Sequence, residues 1–286
     1  NGALFENMAW FGLRSLRLRQ NITGFLVPTQ TEEEGTVFLG DLQEGRYQVA
    51  TLGARGSYTL GRSVAKRYHE VSAGYALRHD TGRTELVRLR DRLDVPYARD
   101  FDRTFGITNV AGWVRAQSEV ADWLVLRAGL RLDTFDFGVR DLNQPEEDTD
   151  GERLPEQTLS AGGTAWNPRA SAIVRLPYEL RWTTAYGRGT RSTEAAALSN
   201  TENAPFANSD QVETGLKWNW RGEGRALRLQ GSYVYAFVAR DIIFDPSAGR
   251  NILIGASDRH ALLFQGRYTE QERLDVLLNL GWAQAT

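Results

Sequence analysis

The sequence of 286 residues predicts an all-β protein, an antiparallel up-and-down transmembrane β-barrel with about 11 strands. Three observations lead to this prediction. Apolar residues recur at every second position along many segments, long and short connections alternate along the chain, and aromatic residues gather at both ends of the apolar stripes. This combination is typical of strands that cross a bilayer.

Each strand is predicted from its own alternation. The clearest stripe runs from Leu124 to Leu132, where every second residue is Leu or Ala and the positions between include Arg127 and Arg131. The segment 105–117 loses its phase near Trp113. In chain order the predicted strands are 16–26, 50–60, 71–77, 105–117, 124–132, 170–176, 180–186, 212–220, 226–241, 260–268 and 274–282.

The connections between these strands form two populations in strict alternation. The short ones lie near 61–68, 119–122, 177–179, 221–225 and 269–272. The long ones lie near 28–46, 79–103, 138–164, 188–209 and 245–258. An up-and-down sheet brings all even connections to one end and all odd connections to the other, so one end has tight turns and the opposite end has long loops. Outer-membrane barrels have this arrangement, with the long loops outside the cell.

Alternation alone also fits a soluble sheet, and three further features favour a membrane. The chain has about 26 residues per predicted strand, whereas soluble sandwiches turn every ~8 to 12 residues. The predicted strands are long enough to cross a bilayer at a tilt, whereas soluble strands average ~5 to 6 residues. The stripes also end in aromatic residues, as membrane interfaces favour. The aromatic residues near short turns are Trp123, Trp182, Trp218, Trp220 and Tyr268, and those near long loops are Phe25, Phe135, Tyr186 and Phe244.

Composition excludes several classes of protein. The 34 basic and 36 acidic side chains nearly cancel, which argues against a nucleic-acid partner. Without cysteine there is no disulfide, thiolate metal site or cysteine nucleophile. The three histidines are far apart and have no second ligand at metal spacing, so we expect neither metal nor cofactor. No apolar run reaches the ~18 residues of a membrane helix, and the mean hydropathy is -0.43. The chain begins at Asn1 without a signal segment, which suggests a processed or partial chain.

Motifs between Asn167 and Trp220 resemble the barrel strands of TonB-dependent outer-membrane receptors. The strand start N-P-R-A at 167–170 is similar to the N-P-[RK]-x-[SA] segment of that family. The run Y-G-R-G-T-R at 186–191 resembles its Y-G-x-G-[FT]-R hairpin end, with Thr190 where an aromatic residue is more usual. The segment E-T-G-L-K-W at 213–218 resembles its E-x-G-[LA]-[RK]-W strand, and DWLVLRAGLRLDTF at 122–135 is similar to the preceding strand. The shared order of these motifs is the specific part of the resemblance.

The resemblance implies a barrel of 22 strands closed around an N-terminal plug domain that engages TonB. Neither the plug nor its TonB box is recognisable here, and about 11 strands supply half of such a wall. A half barrel would leave two unpaired strand edges in lipid, which is not a stable membrane structure. We therefore expect residues 1–286 to be a partial barrel domain in the bacterial outer membrane. Its partners would be membrane lipid, its own plug, TonB and a small chelate or nutrient.

Candidate ligand contacts are arginines near the long loops. Guanidinium groups suit carboxylates and phosphates, so Arg88 and Arg90, with Tyr97, are candidates for binding an anionic or chelated ligand; Arg83 and Arg92 belong to the same group. Contact with surface glycolipid, or a role only in solubility, are the alternatives. Arg188 and Arg191 follow the last lipid-facing aromatic residue of their strand, and we expect them at the outer mouth.

Other charged segments favour structural roles. The run Glu146–Glu152 contains a D-x-D-G order but lacks the later positions of a calcium loop, so it is more typical of a solvated loop, as is Glu32–Glu34. Gly187–Gly189 lacks the lysine of a phosphate loop. No catalytic set is recognisable, and we predict no enzymatic activity. Mixed charges on the lumen-facing positions indicate a wall held by ion pairs: Arg55, Glu70, Arg127, Arg131, Asp133, Arg169, Glu213, Lys217, Arg228 and Arg267.

The predicted function is active uptake of a scarce, bulky nutrient such as a ferric siderophore or a cobalamin-like compound. In the mechanism that the resemblance implies, extracellular loops bind the ligand, and TonB transmits the inner-membrane proton gradient to the plug. Two alternatives stay open at this point. A passive porin shares the strand pattern and has no plug, and a secreted β-sandwich adhesin would pack its apolar faces together in water.

Overall fold

The computed structural model is built almost entirely of β-strands. It describes residues 2–21, 29–32, 35–38, 42–90, 95–142, 158–192, 206–245, 250–271 and 273–286. Within these residues there is no helix long and apolar enough to cross a membrane.

Eleven strands form one continuous sheet in which every neighbouring pair is antiparallel. A separate hairpin joins β2 (Thr29–Glu32) to β3 (Gly35–Phe38). The strands of the main sheet are β1 (Gly2–Asn21), β4 (Leu42–Val64), β5 (Arg67–Arg90), β6 (Val95–Ala121), β7 (Leu124–Asp141), β8 (Thr158–Arg175), β9 (Leu180–Ser192), β10 (Phe206–Gly222), β11 (Arg225–Asp245), β12 (Arg250–Glu270) and β13 (Leu274–Ala285). They lie in chain order across the sheet, so the predicted up-and-down topology and the predicted strand number are confirmed.

Tight turns close one end of the sheet, as predicted. The β4–β5 turn consists of Ala65 and Lys66 alone, and both residues have positive φ. A two-residue turn of this handedness matches the twist of the flanking strands, although Asn-Gly is its usual sequence. The β8–β9 turn contains a similar pair, Tyr178 and Glu179, and the β10–β11 turn uses Gly224. The missing Asn-Gly signal explains why the sequence located the β4–β5 turn only to within several residues.

The register assigns every side chain of the sheet to one of two faces. Directly opposed residues share a face, and the pairs Leu52–His79, Leu77–Val110 and Leu216–Gly231 connect one apolar stripe to the next. This outward face leaves its large apolar side chains in contact with the surroundings of the sheet. Exposed examples are Phe5, Leu52, Leu130, Leu216, Leu280 and Trp282. The protein buries these stripes against no second layer of its own in the described residues, which rules out the sandwich alternative.

The predicted lumen-facing charges all lie on the other face. Arg127 opposes Ser171 and Gln117, and Glu213 opposes Ala185. The same register places every predicted charge from Arg55 on β4 to Arg267 on β12 on one face of the sheet. Side chains on this face line a groove that crosses β5 to β10, so it is the concave face of the sheet.

The strands are longer than the sequence predicted. The connection expected at 79–103 is mostly strand, because β5 continues to Arg90 and β6 begins at Val95. The same correction applies at the other long connections. The alternation is lost there because apolar side chains change face beyond the apolar band: Val49, Phe105, Phe137 and Val139 form a buried cluster on the concave face. Outward positions at the same level, such as Arg83 and Asp136, are polar, so the period-two pattern does not continue in one phase.

The first strand is also corrected. It spans Gly2–Asn21, whereas 16–26 was predicted, and residues 22–26 lie outside the described part. Residues 2–13 have apolar side chains on both faces, for example Phe5 and Phe11 outward and Met8 and Trp10 inward, so alternation was not visible. The predicted phase break at Trp113 is wrong as well: β6 pairs with β7 without a shift from Arg103 to Glu119, and Trp113 is an aromatic residue on the concave face.

Several glycines make room for aromatic rings of neighbouring strands. The ring of Trp113 lies over Gly74, and the ring of Trp10 lies over Gly53. At Gly82 an added Cβ would lie 2.4 Å from the backbone oxygen of Gln48 and 2.8 Å from the ring of Phe105. Because a backbone atom is the closest neighbour, side-chain motion cannot relieve the overlap.

We expect Gly82→Ala to lower the free energy of unfolding by about 1–2 kcal/mol, because overpacking outweighs the entropic gain of alanine. Urea unfolding of the whole receptor in lipid vesicles measures this change. Gly106→Ala is the matched control, since an added Cβ at Gly106 has no atom within 4 Å. Equal destabilisation by the two variants would contradict the close packing at Gly82.

Candidate functional site

The concave face contains an open groove of about 1100 Å³. Strands β5 to β10 form its walls. Its lining consists of polar side chains and of small residues such as Gly129 and Gly187. Representative polar lining residues are Glu70, Arg115, Arg127, Asn167, Arg169 and Gln211. A groove lined by hydrogen-bond donors and acceptors and by side chains of both charges can hold a polar, water-exposed partner.

Ion pairs and hydrogen bonds within the wall hold these side chains in place. Arg131 makes a two-pronged contact with Asp133, with both N···O distances 2.7 Å. Arg127 donates to Gln117 at 2.7 Å. Arg267 and Asp275 form an ion pair of 2.5 Å between the adjacent strands β12 and β13 on the same face. Opposite charges on adjacent strands stabilise a sheet surface, which supports the interpretation of this face as a wall held by ion pairs.

Asp133 is a buried carboxylate on the concave face. It is 5 % exposed and also accepts hydrogen bonds from the amides of Asn109 and Asn167. Asn167 in turn accepts from the hydroxyl of Thr190 at 2.8 Å. The sequence motifs contained Asn167 and Thr190, but pattern alone did not identify Asn109, because a lone asparagine in a strand has no distinguishing spacing.

Arg88 and Tyr97 lie together at the loop end of the concave face. Arg88 is opposite Gln43 on β4, and its Nε donates to Asp100 at 2.9 Å. It also forms a hydrogen bond with Tyr97. Two register shifts near this point in the β5–β6 pairing bring Asp100 and Tyr97 beside Arg88. The structure therefore brings together two of the five predicted ligand contacts.

Arg90 and Arg92 are less well defined. Arg90 ends β5 and pairs through its backbone with Val95, but its side chain is outside the described part, as is the whole of Arg92.

Arg188 lies on the outward face. It opposes Asp210 and makes a two-pronged contact with it at 2.9 and 3.1 Å. Its guanidinium stacks over the ring of Trp166 at 4.8 Å, and Tyr186 donates to the same Asp210 at 2.6 Å. A contact between Arg188 and a ligand inside the barrel would need a different rotamer. The backbone of Arg191 pairs with Ala207, and its side chain is outside the described residues.

An ion-pair network occupies the outward face near the long-loop end of β1, β4, β5 and β6; we call it the outer arginine cluster. Contacts of 2.6 to 3.3 Å link most of its neighbouring members. Its members are Arg17, Arg19, Arg46, Arg83 and Arg99 with Glu44, Glu85 and Asp102. Arg83 is thus on the opposite face from Arg88, because five residues separate the two along one strand.

The arginines hold the carboxylates of this cluster in the ionised form. A hydrogen bond from Arg17, opposed by burial and reinforced by Arg19 and Arg46, lowers the pKa of Glu44 to about 2. The side chain of Glu44 is inaccessible to water. Buried carboxylates are tolerated when several charged donors satisfy their oxygens.

The acidic segments singled out in the sequence are not tested by the structure. Glu146–Glu152 and Glu33–Glu34 lie outside the described residues, as does the side chain of Glu32. Among the residues that are described, no group of three or more His, Asp or Glu side chains could hold a metal ion.

Comparisons with known proteins agree with this architecture. The family model described as "TonB dependent receptor-like, beta-barrel" matches residues 5–268. No curated protein matches the sequence significantly. Three similar solved structures are the ferric-catecholate import receptor Fiu of E. coli K12, the P. aeruginosa FpvA bound to pyoverdine and iron, and the ferric preacinetobactin receptor BauA of Acinetobacter baumannii.

Their likeness to this chain is one of fold. The Fiu structure is 11 % identical with a TM-score of 0.63, over 99 % of this chain and 45 % of Fiu. The FpvA structure is 12 % identical with a TM-score of 0.64, over 100 % of this chain and 39 % of FpvA. The BauA structure is 15 % identical with a TM-score of 0.58, over 85 % of this chain and 37 % of BauA. The chain therefore spans less than half the length of each of these proteins.

Proposed function

The chain belongs to the TonB-dependent receptor-like β-barrel family of the bacterial outer membrane, and from this premise we propose that it forms part of a receptor for active uptake of a scarce nutrient. The proposed ligand is a ferric siderophore or a compound of similar bulk, such as a cobalamin. The observation on which this proposal depends is the division of the sheet into an outward face with a band of exposed apolar side chains and a grooved concave face that carries charged side chains at the level of this band. Such a wall separates lipid from an aqueous passage.

We further propose that residues 1–286 are a partial barrel domain. No described residue of β1 pairs with β13, so the eleven strands form an open sheet. An open edge exposes unpaired backbone groups, which hydrocarbon cannot satisfy. The remaining strands of a 22-strand barrel, the plug and the segment that engages TonB would come from other parts of the same receptor. The polar concave face would then contact the plug.

The proposed ligand contacts divide by their position. Arg88 and Tyr97 face the inside of the wall at the loop end, where an incoming ligand arrives first, and we propose them as the primary pair. Arg90 and Arg191 remain candidates from their positions at the strand ends. We assign Arg188, held by Asp210 and Trp166 on the outward face, a secondary role that depends on a change of rotamer.

Growth of a host that lacks its own receptors tests the uptake function. The full receptor is expressed under iron limitation, and candidate ferric chelates are supplied one at a time. We expect one chelate to restore growth only when TonB is present, because the outer membrane has no energy source of its own. Restoration by small solutes in a TonB-deleted host would instead support the passive porin, and no restoration by any iron chelate or cobalamin would contradict the uptake proposal.

Arg88→Gln is expected to weaken ligand binding by about ten- to a hundredfold, because one charge-assisted hydrogen bond contributes ~1.5–3 kcal/mol. Binding of the rescuing chelate to whole cells measures the affinity. Arg228→Gln is the matched control, since Arg228 lies on the concave face three residues from the β10–β11 turn, at the opposite end of the wall. If both variants bind equally well, Arg88 is not a ligand contact.

A further inference from the structure

The outer arginine cluster combines buried acids with exposed bases. The side chains of Glu44 and Asp102 are 0 % and 1 % exposed, whereas those of Arg17 and Arg83 are 56 % and 51 % exposed. Five arginines against three carboxylates leave a net charge of +2. The surface of the cluster therefore consists of guanidinium groups, each positioned by a carboxylate beneath it.

The position of the cluster relative to the apolar band is fixed by the strand register. On β1 the last outward apolar residue is Leu13, and Arg17 follows four residues later on the same face. On β5 the outward stripe ends at Leu77, and Arg83 follows six residues later. With about 3.3 Å per residue and a tilt of about 40°, the backbone of the cluster lies about 10–15 Å beyond the band.

This height corresponds to the polar layer of the outer leaflet. Headgroups extend roughly 5–8 Å beyond the hydrocarbon core of an ordinary bilayer, and a glycolipid headgroup extends farther. Long arginine side chains reach from their backbone toward the interface. The exposed guanidinium groups of Arg17, Arg46, Arg83 and Arg99 thus face the phosphate level of the surrounding lipid, directly above the lipid-facing stripes of the same strands.

We infer that the outer arginine cluster is a docking surface for the phosphate groups of an anionic glycolipid in the outer leaflet. Guanidinium groups bind phosphate oxygens through paired N–H donors, and ion pairs with Glu44, Glu85 and Asp102 hold several of them in place on the same surface. The surface points away from the concave groove, so its ligand is separate from the transported one. The inference goes beyond the uptake function and depends only on the orientation of the sheet in the membrane.

Binding of bisphosphorylated lipid A to the full receptor in phosphatidylcholine vesicles tests this assignment. Dephosphorylated lipid A, which keeps the sugar and the acyl chains, serves as the comparison ligand. We expect the wild-type receptor to prefer the phosphorylated form at least tenfold, and the quadruple variant R17Q/R46Q/R83Q/R99Q to lose most of this preference. Excess inorganic phosphate should displace little lipid, since acyl chains contribute to the affinity.

Two further variants make the outcome decisive. Should the quadruple variant fail to fold, R17Q/E44Q/R83Q/D102N removes bases and buried acids together, so that fewer buried charges lose their partners. The concave-face variant R115Q/R127Q/R169Q controls for loss of positive charge and should keep the preference. Equal binding of both lipid forms by the wild type, or equal loss of preference in the concave-face variant, would overturn the proposal. Growth rescue by the transported chelate would be unaffected by either result.

Discussion

Leu216→Arg is expected to destabilise the barrel in a bilayer by about 2–4 kcal/mol, the cost of a charge near the middle of a lipid-facing strand. Leu216 lies on the outward face of β10, between the aromatic residue Trp220 near the turn and Asp210 at the outer boundary. It is half exposed in the sheet, so the loss comes from contact with hydrocarbon and not from disrupted internal packing. Urea unfolding in phosphatidylcholine vesicles measures the difference.

The matched control for Leu216 is Gln265→Arg at the same level of the wall. Leu216 opposes Gly231, which opposes Phe264, and Gln265 is the next residue on β12, on the concave face. We expect little loss of stability at Gln265 because arginine there remains in water. Similar costs at both positions in vesicles, or equal tolerance of both, would refute the assignment of the two faces and with it the membrane orientation on which the proposed function depends.

Acid is expected to weaken the outer arginine cluster through Glu44. Its pKa is about 2 in the folded protein and 4.5 without the fold, so the folded state favours the ionised form. The stabilisation is present in full above pH 4.5 and disappears as the pH falls toward 2. The pKa difference corresponds to a contribution of about 3 kcal/mol to the free energy of unfolding. About 2 kcal/mol of this contribution is lost between pH 6 and pH 3.

Comparison with Glu44→Gln isolates this contribution from that of other carboxylates. The free energy of unfolding is measured at pH 6 and pH 3 for the wild type and the variant. We expect the variant to be less stable at pH 6 and to lose about 2 kcal/mol less than the wild type on acidification. An identical loss in both proteins would mean that Glu44 titrates in the folded state as it does in the unfolded chain.

The main features of the fold could be predicted from the sequence because lipid on one side and water on the other impose a strict period of two. The stripe Leu124–Leu132 and the charges between its members appear in the structure as predicted. Where this contrast of environments ends, the prediction failed. Residues 2–13 are apolar on both faces, and the upper half of β5 mixes polar and apolar side chains on both faces, so the pattern gave no boundary at either place.

The candidate site was less accessible to sequence reasoning. Arg83 and Arg88 formed one group in the sequence, but their odd separation sends them to opposite faces, and only the correct extension of β5 reveals this. Arg99 contacts Asp102 and Glu85 because of the register shifts between β5 and β6. These shifts could not be predicted from the composition of the strands. Asp133 was predicted on the inner wall, but its partners Asn109 and Asn167 lie 24 and 34 residues away in the sequence, on the two neighbouring strands.

The unequal lengths of the strands have a consequence for the rim of the wall. Counted from the tight turns, β5 has 24 residues and β9 has 13, a difference of 11, or about 36 Å along the strand direction. The described edge of the sheet is therefore stepped, high at β5 and β6 and low at β9. The groove lining includes Thr190, two residues before the described end of β9, whereas its β5 residue, Glu70, lies twenty residues before the end of that strand. The groove is therefore shallow beside β9 and deep beside β5.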